Sequence, residues 1–109
     1  MMYLPAPDEA LLVGILRLVL RIPGSRSLKD RRQVVASVRD RVQARHHAAF
    51  GEVGYLDVHD AAVVAVSLVG NDSRLLRSRL DTIRVDIEGS VQALVSEASI
   101  ELVPMKGGR

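Results

Sequence analysis

Apolar residues change their spacing repeatedly between Leu11 and Val103, and this rhythm restricts the fold more than any other property of the chain. Over 11–22, LLVGILRLVLRI, the period is two: Leu16, Leu18, Leu20 and Ile22 share one face, while Ile15, Arg17, Val19 and Arg21 share the other. Alternation with β-branched residues predicts a strand, which Pro23-Gly24 ends. The spacing then lengthens. Leu28, Val35, Val38 and Val42 recur at helical intervals, and Ser27 with Asp30 three residues on approximates a capping box, so a helix runs from Ser27 towards His46-His47. Residues 49–58 (AFGEVGYLDV) and 61–69 (AAVVAVSLV) predict two strands joined around Asp57–Asp60. So short a link requires an antiparallel hairpin, because a parallel crossover takes about a dozen residues or more. Gly70-Asn71-Asp72 is a turn into a second amphipathic helix over 73–88, built on Leu76, Leu80, Ile83 and Ile87 and stopped by Gly89. A last strand over 92–103 points Leu94, Ala98, Ile100 and Leu102 one way and Val95, Glu97, Ser99 and Glu101 the other, with Pro104 closing it.

The order β-α-β-β-α-β is two β-α-β halves, the ferredoxin-like split arrangement. Right-handed crossovers then put both helices on one face of a four-stranded antiparallel sheet, an α+β fold. The expected organisation is a loose tail over 1–10, one domain over 11–103 and a second tail over 104–109. A length of 109 residues suits one domain. With 48% hydrophobic and 26% charged residues, the chain is not disordered in bulk. The absence of cysteine excludes disulfides, thiolate metal sites and cysteine nucleophiles. No apolar stretch approaches the roughly 18–20 residues of a membrane span, and residues 1–10 lack a signal-peptide pattern. The expectation is a cytoplasmic protein without a membrane partner.

Helices on one side leave the other face of the sheet open, and an open antiparallel face should alternate to polar residues. Strand 61–69 does not. Ala61, Val63, Ala65, Ser67 and Val69 are nearly as apolar as their alternates, and Ile15, Val19, Val95 and Val103 extend the same face. A patch of that kind predicts a homodimer or another partner on the open face; an ordinary surface relieved by Arg17, Arg21, Glu97 and Glu101 is the alternative.

The net charge of +2 conceals polarity. Residues 17–47 carry nine Arg or Lys against Asp30 and Asp40, a local +7, and the remainder sums to −5. A basic segment attracts polyanions or acidic proteins, although arginine outnumbering lysine thirteen to two also fits a general compositional bias. Gly24-Ser25-Arg26-Ser27 leads into a helix N-terminus, a generic phosphate site of backbone N–H groups. The candidate anion-binding set is Ser25, Arg26, Ser27, Lys29, Arg31, Arg32 and Arg39. Arg31 stands apart because it falls on the apolar stripe. It either holds a phosphate or forms a salt bridge to Glu52 or Asp57 that fixes the helix to the hairpin.

Catalytic alternatives find little support. His46, His47 and His59 with Asp57 and Asp60 do not give the three or four convergent ligands of a zinc site, and the histidine pair at a helix end suits the terminal carbonyls. Neither a G-x-S-x-G elbow nor a Walker loop occurs. An acylphosphatase-like hydrolase would need an asparagine on strand 49–58, which has none. Three aromatic residues are too few for RNA-recognition stacking, so RNA contact would run through arginines and phosphates. No catalytic residue, metal or other cofactor is expected.

The run GILRLVLRIPGSRSLKDRRQVVASVRDRV, with EVGYLD and VAVSLVGND, resembles the YlxP-like family of small bacterial proteins of unknown function over about residues 12–103. Its most specific element is S-L-K-D-x-R at Ser27–Arg32, supported by Glu52-Val53-Gly54 and Asn71-Asp72. The resemblance implies a ferredoxin-like fold and, through genes neighbouring those for translation initiation and ribosome maturation, an association with ribosomal subunits or RNA. Family members carry Trp-Gln where this chain has His59-Asp60. The reading is a dimeric, non-enzymatic domain contacting RNA phosphates through its first helix; the alternative is a homodimeric protein-interaction or small-ligand regulatory module that uses the apolar sheet face and ignores nucleic acid.

Overall fold

In a computed structural model, which describes residues 11–90 and 92–105, six elements follow in the expected order. They are β1 (Leu11–Arg21), α1 (Leu28–His46), β2 (Ala49–Gly54), β3 (Ala61–Gly70), α2 (Ser73–Glu88) and β4 (Leu94–Met105). The strands form one antiparallel sheet in the order β2-β3-β1-β4. This is the ferredoxin-like arrangement. The expected tail over 1–10 and residues 106–109 of the expected tail over 104–109 lie outside the described residues, while Pro104 and Met105 belong to β4.

Period-two alternation decides what each strand buries. Leu16, Leu18, Leu20 and Ile22 with Ala62, Val64, Val66 and Leu68 form the floor of a single core. Val35, Val38 and Val42 of α1 and Leu76, Leu80, Ile83 and Ile87 of α2 close it from above. Each of the valine, leucine and isoleucine side chains contributes about 1.5–3 kcal/mol by leaving water. Gly14 permits the close seat of α2 on β1: a Cβ there would lie 2.7 Å from Leu80 Cδ1 and 3.0 Å from Leu76 Cγ.

Helix boundaries follow their caps. Ser27 Oγ accepts from Asp30 N at 3.0 Å, while the Asp30 carboxylate accepts from Arg26 N at 3.0 Å, one residue before the position a capping box uses. Asp72 caps α2 by accepting from Arg74 N and Leu75 N. Gly89 ends α2 in a right-handed conformation, φ −75°, so its freedom to go left-handed is not used. The left-handed cap belongs to His47 of α1, at φ 51°, whose N–H donates to Gln43 O.

Three features of the strands differ from the sequence expectation. β2 stops at Gly54 rather than 58, because Val53 bulges between Glu52 and Gly54 and Tyr55 turns at φ 56°. Pro104 does not end β4: it pairs with Leu12, as an edge strand tolerates a residue without an N–H. The third is a bulge on β4. Val19 faces Glu97, yet the next residue of β1, Leu20, faces Val95, leaving Ser96 as the extra residue with its Oγ donating to Val19 O at 3.2 Å. A bulge reverses the side-chain parity beyond it. Val95 therefore packs against the helix-side core and Leu94 is exposed, the reverse of unbroken alternation.

Candidate nucleic-acid interface

The basic residues of α1 fall into three groups with different fates. Arg31 lies on the buried face with Val35, Val38 and Val42 and is only 2% exposed. Its guanidinium donates from Nε to Ala61 O at 2.8 Å and from Nη2 to Gly54 O at 3.4 Å, and its Nη1 forms an ion pair with Glu52. β2–β3 pairing ends at Gly54↔Val63. Arg31 thus serves carbonyls at the end of the hairpin where the ladder stops. The alternative of an arginine waiting for phosphate is overturned. Its stem packs as an apolar side chain and its head is consumed by the fold. Of the two carboxylates considered, Glu52 is the partner; Asp57 lies in the turn after β2.

Arg41 and Arg45 lie on the flank facing α2, and His46 reaches the same place from the last turn. All three converge on Asp86, at 2.8, 3.3 and 2.8 Å. The Arg41 hydrogen bond, with smaller contributions from His46 and Arg45, holds the Asp86 carboxyl below its ordinary value despite partial burial. This clamp joins α1 to α2. It uses the His46 ring against a carboxylate, not against helix-end carbonyls as the histidine pair had suggested.

Lys29, Arg32 and Arg39 fall on the opposite, outward flank of α1 and are exposed. Arg39 pairs with its neighbour Asp40 at 3.0 Å, both in water, where such a pair is worth little. Lys29, Arg32 and the loop residue Arg26 have no carboxylate partner for their side chains among the described residues.

The loop before α1 is not an open phosphate hook. Ser25 is buried and donates through Oγ to Ser27 O at 3.0 Å, and Ser27 Oγ is engaged by Asp30 N. The Asp30 carboxylate occupies the N–H of Arg26. A negative group already stands where the helix dipole would draw an anion. Ser25 and Ser27 therefore shape the loop and leave the candidate set, whose open members are Arg26, Lys29, Arg32 and Arg39. The cations do not form one continuous basic platform.

Beside this loop runs a groove of about 590 Å³ lined by Ile22, Pro23, Asp30, Gln33, Ser37 and Gln92, among others. Among the described residues its one charged side chain is Asp30, itself engaged in capping. Among the described residues no three His, Asp or Glu side chains gather as metal ligands. Asp57, His59 and Asp60 all lie in the link between β2 and β3. Among the described residues no helix is long and apolar enough to cross a membrane.

The Asp86 clamp escaped the sequence reading. Its only signal was a lone acid beside the apolar stripe of α2, opposite the most basic helix, and nothing local indicated which arginines it would meet. Residues 13–100 match the model of a family described as protein of unknown function, DUF503. No curated protein matches the chain.

Proposed function

The chain belongs to the DUF503 family of proteins of unknown function, and from that premise we propose that it is a non-enzymatic, cytoplasmic protein that contacts RNA phosphates, free or on a ribosomal subunit. The observation that carries this reading is the outward flank of α1, where Lys29 and Arg32, with Arg26 at the helix entrance, lie in water without carboxylate partners among the described residues. Arg39 extends the same flank behind its exposed pair with Asp40. The YlxP-like signature at Ser27–Arg32 supports a ribosome-associated role, since two of its cations, Lys29 and Arg32, are among those left open.

Contacts of this kind position a protein on a phosphate backbone and carry no base sequence. They predict weak, strongly salt-dependent binding. Four contacts to single-stranded RNA correspond to a slope of log affinity against log salt of about −3. Fluorescence anisotropy with a labelled RNA between 50 and 200 mM salt reads this directly. Replacing Arg26, Lys29 and Arg32 together by glutamine should reduce the slope to about −1. Absence of binding to RNA and to isolated ribosomal subunits at 50 mM salt refutes the proposal.

A further inference from the structure

The sheet face turned away from the helices divides into two unlike halves. At one end Leu11 pairs with Met105, and Val13 pairs with both Val69 and Val103, so these side chains and Ile15 adjoin across three strands. Leu11, Val69, Val103 and Met105 are 40–64% exposed. This apolar cluster shares Ile15, Val69 and Val103 with the patch the alternation predicted, but not the rest of it. Val19, Ala61 and Val63, expected in it, are buried without belonging to the helix-side core. The backbone at Gly54 packs on Val63, with the position of a Gly54 Cβ 3.1 Å from Val63 Cβ. The apolar exposure therefore moves to the opposite end of the face.

The other half is charged in two rows. Arg17 and Arg21 project from the central strand β1, and Glu97 and Glu101 from the edge strand β4. Arg17 stands opposite Ser99 and hence diagonal to both glutamates, with Val19 opposite Glu97 and Ile15 opposite Glu101. No ion pair joins these four residues among the described residues.

We infer that a second copy of this chain packs on this face as an isologous dimer. A two-fold axis lying in the plane of contact and parallel to the strands, between β1 and β4, sets the β1 row of one copy over the β4 row of the other. Arg17 and Arg21 then face the partner copy's acidic row, and the same operation sets each apolar end on the other. Only a face that carries both signs in parallel rows is complementary to itself in this way. That axis overlaps only β1 and β4 of each copy, and two strands about 4.8 Å apart and 11 residues long give a flat footprint on the order of 350 Å². Even with side-chain relief this stays below the roughly 800 Å² per partner of a standard interface, so the charge match and not the area carries the association. The dimer leaves Lys29 and Arg32 free, because α1 lies on the opposite face of the sheet.

Sedimentation of the full chain across a micromolar concentration series tests the inference. The parent is expected at twice its 11.9 kDa mass. Reversing Arg17 and Arg21 to glutamate makes the charged half uniformly acidic, and reversing Glu97 and Glu101 to arginine makes it uniformly basic. Each variant alone should lose about 100-fold or more in dimer affinity, with circular dichroism checking that each is folded. An equimolar mixture of the two should recover a heterodimer of near-parent affinity. That recovery distinguishes a face-to-face charge match from simple loss of folding. A parent that stays monomeric throughout the series, reversals that leave the dimer unchanged, or a mixture that does not recover, would each overturn the inference.

Discussion

Replacing Arg31 with methionine separates the two roles open to this residue. Methionine keeps most of the stem and packs against Val35, but it strips the donors from Ala61 O and Gly54 O and leaves Glu52 without its cation. Breaking a fully buried pair costs about 3–5 kcal/mol. Glu52 is 29% exposed on its side chain, so water recovers part of its solvation. Against that gain stand the two carbonyls, each worth about 1–3 kcal/mol if left buried without a partner. We expect a net loss of about 3 kcal/mol, which for a domain of this size lowers Tm by roughly 12–24 °C. Equilibrium urea unfolding followed by far-UV circular dichroism measures it. Arg32→Met, one residue on but exposed, should stay within about 0.5 kcal/mol. The double change Arg31→Met with Glu52→Leu should regain at least about 1 kcal/mol over Arg31→Met, because no charge is then stranded. RNA binding should sort the other way, with Arg32→Met weakening it and Arg31→Met, studied well below its transition, leaving the salt slope intact. An Arg31→Met protein as stable as the parent would refute the architectural assignment.

Two further substitutions probe the packing and the clamp. Gly14→Ala should destabilise by about 1–3 kcal/mol in the same assay, since the added methyl meets Leu80 and Leu76 in a closed core; unchanged stability would mean that α2 can slide off β1 at little cost. Asp86→Asn should cost about 1–2 kcal/mol at pH 6–7 by weakening the links to Arg41, Arg45 and His46. The folded Asp86 carboxyl lies below its ordinary 3.8, so its contribution is complete above that value and disappears as pH falls through the folded value. The difference between parent and variant should therefore shrink below about pH 4 and vanish in stronger acid; a difference that persists there would place the stabilisation elsewhere.

What could be read from residues alone was whatever local spacing controls. The two periods, the short 57–60 link and the caps at Ser27 and Asp72 are enough for the element order, and the order determines the strand arrangement because crossover handedness leaves few alternatives. The oddity of Arg31 on an apolar stripe was equally visible, as was Glu52 as one of its two possible partners. Choosing between that salt bridge and a phosphate, and finding the carbonyls of Ala61 and Gly54 beside it, required knowing that the hairpin ladder stops at Gly54.

The bulge at Ser96 shows the limit most clearly. Nothing in LVSEAS breaks the alternation, yet one extra residue exchanges Leu94 and Val95 between faces, because side-chain parity is counted along the pairing and not along the chain. The basic segment behaves the same way. Its charge is a property of composition, but whether a guanidinium meets water, Glu52 or Asp86 depends on which carboxylates a distant element carries to it. The sequence by itself determined the architecture, since period, turn and cap are short-range; only the tertiary structure decided which cations remain open and where the sheet stays apolar, since both depend on contacts between residues tens of positions apart.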